Sequence, residues 1–208
     1  MKNILVGALI VLILMALSAL AAIQLGLPDF AADRPHGETT YELIAWARER
    51  SVAVRSARVA PPADLDDPER ARRAAGNYDA MCVGCHLSPG QEEGELRRGL
   101  YPAPPDLSKP REGVRDEDAR SFWIIKHGIK GSGMPAWSKG GMEDAAIWDL
   151  VAFLRVLPGL SADGYRRAVA ASDGHSHRGI NHSTSPHELE TGPVAPPEHD
   201  HGTHDHRH

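Results

Sequence analysis

The chain has 208 residues and a formal net charge of −5 at pH 7, and only 5% of its residues are aromatic. The charge is modest and negative, and the sequence shows no basic groove with interleaved aromatic side chains of the kind that binds nucleic acid. We therefore expect no nucleic-acid partner.

The first feature along the chain is an uncharged, almost wholly apolar run over residues 4–23. It has about the 20 residues that a helix needs to span a bilayer. A signal peptide would have a shorter apolar region and a small-residue cleavage site, which Ala19-Leu20-Ala21 fits. The length of the run favours a retained anchor over residues 1–27, with cleavage as the alternative. Both interpretations send the rest of the chain out of the cytoplasm, and Lys2 supports an amino terminus on the inner side.

Residues 28–62 are predicted to form a juxtamembrane helix and a linker. The helix covers residues 39–58 and ends before Pro61-Pro62. Its Trp46 and four arginines would suit a helix lying on lipid headgroups. Because its apolar residues are spread around the helix, we favour a solvated spacer between the anchor and the next domain.

Both cysteines of the chain lie in one pentapeptide, Cys82-Val83-Gly84-Cys85-His86. Two thiols at this spacing, followed directly by a histidine, are typical of a c-type haem attachment site. A thioredoxin-like redox pair would need a βαβ context, whereas the flanking sequence here is helical in character. A structural zinc site would need two further ligands at set spacing, and no other cysteine exists. The pentapeptide therefore favours haem.

Iron that is held by one histidine commonly takes a methionine on its other side. Three of the five methionines are excluded by position, at the chain start, in the apolar run and directly before the pentapeptide: Met1, Met15 and Met81. Met134 is preferred because it lies among glycines that allow close backbone approach and precedes Pro135, which favours an extended backbone. Met142, at the start of a helical pattern, is the reserve. His127 is a weaker alternative, next to Gly128 at a predicted helix end.

Over residues 65–158 the sequence resembles the class I cytochrome c family, particularly its small membrane-bound bacterial members. The resemblance rests on four features in order: the helix-like stretch 68–80 before the pentapeptide, Tyr101-Pro102-Ala103-Pro104-Pro105-Asp106-Leu107, Gly133-Met134-Pro135, and the terminal helix 143–157. It implies an all-α fold in which a few helices wrap one covalently bound haem c. The predicted cytochrome domain covers residues 63–160.

The resemblance also implies a role for individual residues. Cys82 and Cys85 would bond the haem covalently, and His86 and Met134 would bind its iron. The Pro105 carbonyl would accept the His86 N–H and so orient the ring. Further candidates for lining the haem are Tyr101, Trp123 and Trp137. Six-coordinate iron has no open position for a substrate, which indicates an electron carrier rather than an enzyme.

Local patterns agree with this helical layout. Asp66 or Asp67 can cap a helix that begins at Pro68. Residues 144–157 carry an apolar stripe at helical spacing, consisting of Ile147, Leu150, Val151 and Leu154, and Pro158-Gly159 ends it. Asp116 can cap another helix that runs to Gly128, and residues 91–100 predict a short helical turn.

The composition changes after Leu160, and residues 161–208 are expected to be a disordered tail because large apolar side chains are few. This segment holds nine of the twelve histidines: His175, His177, His182, His187, His199, His201, His204, His206 and His208. Histidine-rich tracts suggest binding of Cu or Zn, and the candidate ligands are His199, His201, His204, His206 and His208. A solvated tail without metal is the alternative.

Three functional hypotheses follow from the residues and the resemblance. The first is a single-pass protein of the inner membrane, with a haem domain on the periplasmic side that exchanges electrons with redox proteins of the periplasm or membrane. The second is a haem subunit of a larger oxidoreductase. The third is a metal-handling protein that works through its histidine-rich tail.

Overall fold

The computed structural model describes residues 1–110 and 117–178. These residues form α-helices and two 3₁₀ turns, and no strand occurs among them, which confirms the predicted all-α class. The helices are α1 (Lys2–Gln24), α2 (Glu38–Ser56), α3 (Pro68–Met81), α4 (Val83–His86), α5 (Glu95–Gly99), α6 (Glu117–His127), α7 (Asp144–Val156) and α8 (Ala162–Ala170). The 3₁₀ turns are Trp137–Gly140 and Leu157–Gly159. The predicted cap Asp116 and the histidines from His182 onward lie outside the described residues.

The core forms where α3 packs against α7. Small residues allow the two backbones to approach, since Ala74, Ala75 and Ala146 are at most 1% exposed. The largest side chains that are buried in this core are Tyr78, Phe153, Ile147, Leu150, Val151 and Leu157. The α3 helix begins as predicted, because the Asp67 carboxylate accepts a hydrogen bond from the Glu69 N–H at 3.0 Å and Pro68 occupies the first turn.

A buried ion cluster links α3 to α7. The Arg70 guanidinium donates to Asp149 at 2.6 Å and to both oxygens of Asp64 at 2.9 Å, and Arg73 donates to Asp149 at 3.0 Å. Arg70 is 8% exposed and Asp149 is 3% exposed. Removing one partner of such a pair leaves a buried charge uncompensated, at a cost of about 3–5 kcal/mol. The cluster therefore holds the two helices at one relative position.

The α1 helix is long and apolar enough to cross a membrane, with a mean hydropathy of 2.9 over its best window and no buried residue. A signal sequence near an amino terminus can also meet these criteria of length and hydropathy. The helix is therefore compatible with both the retained anchor and the cleaved alternative.

The α2 helix differs from the solvated spacer that we expected. It packs against α6, and Val52 and Ser56 are only 3% and 4% exposed. Glu49 on α2 also forms an ion pair with Arg120 on α6. Glu49, Val52 and Ser56 follow one another at helical spacing, so they share one face. That face is mixed in polarity, which is why the distribution of apolar residues alone did not reveal it.

Residues 161–178 also differ from expectation, because they are ordered against the domain rather than part of a tail. The Ser161 hydroxyl caps α8 by accepting from the Gly164 N–H at 3.0 Å. Tyr165 is 6% exposed, and its hydroxyl donates to Asp79 on α3 at 2.8 Å. Its ring also packs near Tyr78 and Phe153. The polar composition of this helix gave no signal for packing, since Tyr165 is its one buried residue.

After α8 the chain lies along α3. The Asn77 side chain donates to the Ser176 carbonyl and accepts from the Ser176 N–H, both at 2.7 Å. Gly76 is required at this approach, because a Cβ there would lie 2.6 Å from the Ser172 hydroxyl and 2.7 Å from the Gly174 carbonyl. The packed region therefore continues past residue 160, at least to the last described residues.

Candidate haem-binding site

A cavity of about 530 Å³ opens between α2, α4, α6 and two loops. Its volume lies within the range of about 300–1,000 Å³ that small-molecule and cofactor sites occupy. All five of the residues predicted to hold the haem line it: Cys82, Cys85, His86, Met134 and Pro105. Residues that are 52 positions apart in the sequence, from Cys82 to Met134, thus meet at one apolar-walled space.

The pentapeptide reaches the cavity through a short turn. Cys82 ends α3, and the N–H groups of Cys85 and His86 donate to its carbonyl at 3.1 and 2.8 Å. This turn places the residues at i and i+3 on the same side, so both thiols face the cavity. Both cysteines are free thiols rather than a disulfide. Each thiol is therefore available for a covalent bond to a group inside the cavity.

The surroundings of Cys82 argue against the redox-pair alternative. Burial, and secondarily the neighbouring Cys85, raises the pKa of the Cys82 thiol to about 12. Catalytic and redox-active cysteines instead have lowered pKa values, because the thiolate is the reactive form. A thiol that stays protonated near neutral pH does not fit a thioredoxin-like site.

His86 is oriented by the loop that follows α5. Its ring nitrogen Nδ1 lies 2.9 Å from the Pro105 carbonyl oxygen. A carbonyl only accepts, so Nδ1 carries the hydrogen and a neutral ring has its lone pair on Nε2. The Leu107 N–H donates to the His86 carbonyl at 3.0 Å, and Arg97 Nε donates to the Pro104 carbonyl at 3.0 Å. The hydrogen bond to Pro105 that the resemblance implies is therefore present, with the ring in the tautomer that suits a metal ligand.

Tyr78 supports the same turn from inside the core, a role that sequence analysis did not assign. Its hydroxyl donates to the Leu87 carbonyl at 2.6 Å and lies 3.3 Å from the His86 carbonyl. Burial, and next the neighbouring Cys82, raises the pKa of Tyr78 above its ordinary value, so the side chain stays a neutral donor. Leu87 has a φ of 64°, rare for a residue with a side chain, and is 1% exposed. The one available signal was an aromatic residue one helical turn before the pentapeptide.

Met134 enters the cavity on a tight loop after α6. Gly128 ends that helix with a φ of 65°, and a Cβ on it would lie 2.7 Å from the Met134 carbonyl oxygen. The Ile129 N–H donates to the same oxygen at 3.1 Å, and the Met134 N–H donates to the Ser132 hydroxyl at 3.2 Å. The loop thus fixes the backbone of Met134, while its side chain packs against the core.

The two alternative ligands do not line the cavity. Met142 is 3% exposed and belongs to the apolar core between the helices. The ring of His127 instead packs against Trp123, with 4.9 Å between ring centroids. Of the three further candidates for lining the haem, only Trp137 borders the cavity, and Tyr101 accepts a hydrogen bond from the His36 N–H at 3.1 Å.

Charged residues at the cavity were not predicted from the sequence. Within the described residues that line it, these are Arg48 and Glu49 on α2 and Arg120 on α6. Two guanidinium groups share one carboxylate at this wall, which leaves an excess positive charge there and favours an anionic group in the cavity. Two thiols, an imidazole, a thioether and these guanidinium groups together fit a haem c, which carries carboxylate groups.

The tail metal site is not supported by the described part of the chain. His199, His201, His204, His206 and His208 lie outside it. Of the tail histidines inside it, His175 has its Nε2 3.1 Å from the Met81 sulfur, and the His177 carbonyl accepts from the Glu143 N–H at 3.0 Å. No group of three or more His, Cys, Asp or Glu residues among the described residues could hold a metal ion.

Comparison with known proteins gives one match. Residues 69–154 match the family model described as cytochrome c oxidase, cbb3-type, subunit III. No curated protein and no solved structure matches the chain. The matched segment contains the pentapeptide, Pro105 and Met134, whereas α1, α2 and α8 lie outside it. Residues 69–154 therefore form a domain of the class I c-type cytochrome family, which functions in electron transfer.

Proposed function

We propose that this chain is a membrane-anchored monohaem c-type cytochrome that carries single electrons between redox proteins of the periplasm or membrane. Cys82 and Cys85 bond one haem c through thioethers, and His86 Nε2 and Met134 sulfur bind its iron. The Pro105 carbonyl holds the imidazole in place. One observation carries the proposal: all five residues line the same cavity of about 530 Å³.

The ligand pair suits a carrier. A methionine opposite a histidine raises the reduction potential of haem iron relative to harder ligands. If His86 and Met134 both bind the iron, it would have no site left for a substrate or for oxygen. This supports electron transfer by this chain itself rather than a reaction catalysed at its haem.

The location follows from α1 and from the chemistry of attachment. The α1 helix has the length and hydropathy of a single membrane span, and none of its residues is buried. In the cytochrome c family, haem is attached on the outer side of the cytoplasmic membrane. We therefore propose a single-pass protein of the inner membrane with its haem domain on the periplasmic side.

A second candidate function is the haem subunit of a larger oxidoreductase. It is favoured by the match of residues 69–154 to a family whose description names an oxidase subunit. A free carrier and a bound subunit use the same four haem-binding side chains. Their difference lies in whether the chain is held in a complex.

The haem assignment is tested by extraction. Acid–acetone should leave haem on the full-length chain, because thioether bonds survive this treatment. The double variant Cys82→Ala, Cys85→Ala should carry no covalent haem, whereas Met81→Leu, which keeps both thiols, should retain it. Free extraction of haem from the native chain would contradict the proposal.

The choice between carrier and subunit is tested by isolation from membranes. The full-length protein should appear in the membrane fraction, require detergent for release, and elute alone from a sizing column in mild detergent. Stable co-elution with other haem or copper proteins would instead support the subunit function. Recovery of the chain in the soluble fraction would contradict a retained anchor.

A further inference from the structure

The side of the cavity next to α2 differs in charge from the rest of its described wall. Glu49 lies between two guanidinium groups: Arg48 Nη2 is 3.1 Å from its Oε1, and Arg120 donates to its Oε2. Two of these three residues belong to α2, which lies outside the family-matched segment. The charge at this wall is thus supplied largely by a part of the chain that the family match does not cover.

These three residues leave one positive charge in excess, since two cations share one carboxylate. Both guanidinium groups are largely covered, with side-chain exposures of 29% for Arg48 and 16% for Arg120. Both residues line the cavity, so their guanidinium groups are stabilised when an anionic group bound there accepts hydrogen bonds from them.

We propose that α2 is part of the haem site, and that Arg48 and Arg120 bind the carboxylate groups of the haem while Glu49 positions both guanidinium groups. The proposal rests on the haem assignment above. Guanidinium groups suit this task because their planar donors match carboxylate geometry and stay charged at all relevant pH values. The juxtamembrane helix is then a wall of the cofactor site rather than a spacer.

The arrangement has a measurable electrostatic consequence. Reduction adds one negative charge to the haem, so cations at the cavity stabilise the ferrous form and a carboxylate there destabilises it. Removing Arg48 or Arg120 should lower the reduction potential. Removing the charge of Glu49 should raise it. Shifts of the reduction potential in opposite directions at the neighbouring positions 48 and 49 would not arise from a merely structural role of α2.

The test is an equilibrium redox titration of the detergent-solubilised, haem-loaded full-length protein. We measure the equilibrium between the haem and a redox mediator of fixed potential. We expect Arg48→Gln and Arg120→Gln each to shift its equilibrium constant about tenfold towards ferric haem, which corresponds to a reduction potential lower by ~59 mV for one electron. Glu49→Gln should shift it the other way. Arg50→Gln is the matched control, because Arg50 is an exposed arginine on the same helix that does not line the cavity. Its potential should equal that of the native protein.

One further variant, together with Arg48→Gln, keeps the result decisive. Arg120→Lys preserves the charge and should recover most of the potential. If Arg120→Gln unfolds, Arg48→Gln decides the question, because Arg48 pairs only with its neighbour Glu49 among the described contacts. Equal shifts for Arg48→Gln and Arg50→Gln, or no shift for either, would overturn the proposal. A native chain without covalent haem would instead refute the haem assignment.

Discussion

The two walls of the cavity hold their proposed iron ligands in different ways. On one wall, the His86 ring itself is held by the Pro105 carbonyl, and its backbone is tied to Leu107. On the other wall, the hydrogen bonds of the 129–134 loop reach only the backbone of Met134. The imidazole direction is therefore set by a polar contact, whereas the thioether is placed by packing alone.

This difference follows from the chemistry of the two side chains. A neutral imidazole has a second nitrogen that can donate to a carbonyl while the first binds metal. A thioether has only a weak acceptor and no donor, so hydrogen bonds hold it less firmly than they hold an imidazole. We call the side of the cavity that carries Met134 the methionine wall and the side that carries His86 the histidine wall. We expect the methionine wall to be the easier one to disrupt, and the following variants test the two walls separately.

The largest effect is expected from Met134→Ala. It removes the proposed second ligand, so the weak far-red absorption band that the resemblance implies for Met-ligated ferric haem should vanish and the reduction potential should fall. Met142→Ala is the control at the other candidate. It should keep the band but destabilise the fold by about 2–5 kcal/mol, because it opens a cavity in the core. Loss of the band in Met142→Ala alone would make our ligand assignment wrong.

A smaller effect on the same wall is expected from Gly128→Ala. The new Cβ would lie 2.7 Å from the Met134 carbonyl, in a backbone conformation that favours glycine, so the loop must shift. The far-red band should weaken while covalent haem is retained. Gly131→Ala has a similar positive φ but open space around its Cβ, and should leave the band intact. Equal weakening in both variants would point to backbone strain instead of the clash.

On the histidine wall, Tyr78→Phe should reduce stability without affecting ligation. It removes a buried donor to the Leu87 carbonyl and leaves that oxygen unsatisfied, at a cost of about 1–3 kcal/mol. Denaturant unfolding measures the loss, and the absorption spectrum should stay unchanged. Tyr41→Phe is the control for the stability measurement, since Tyr41 is 42% exposed. A changed spectrum in Tyr78→Phe would show that the histidine wall is as fragile as the methionine wall.

The smallest effect concerns acid stability of the loop that holds His86. Burial raises the pKa of Asp106, but the Ser108 hydroxyl at 2.6 Å and Lys109 at 3.0 Å outweigh it, so the pKa is lowered overall. A lowered pKa means that this carboxylate stabilises the fold above the unfolded value of about 3.9, and that the contribution is lost as the pH falls through the folded value.

The measurement for this last prediction is an acid titration of stability below about pH 4. Asp106→Asn should lose less stability over that range than the native protein does, and should be less stable near neutral pH. Asp33→Asn, which changes an exposed carboxylate in the linker, should titrate like the native chain. An unchanged acid profile in Asp106→Asn would remove this loop from the acid response.

The sequence was most informative where spacing along the chain decides geometry. The pentapeptide needs only one helical turn to bring Cys82, Cys85 and His86 to one side. The bounds of α3 and α7 followed from Pro68, the capping Asp67 and an apolar stripe that ends near Pro158. These are local effects of backbone sterics and hydrogen bonding, which a short stretch of residues carries within itself.

The sequence alone determined the all-α class, the Cys-x-x-Cys-His motif and the apolar amino-terminal segment. Only the tertiary structure decided that α2 packs on α6, that α8 packs on α3, that Tyr78 donates to the Leu87 carbonyl, and that Arg120 lines the cavity. These features depend on pairs far apart in the chain, such as Glu49 with Arg120 and Asp79 with Tyr165. The helices α2 and α8 are polar, and most of the stability of such a helix comes from tertiary packing. The surface on which each one packs is decided by the packing of the whole domain.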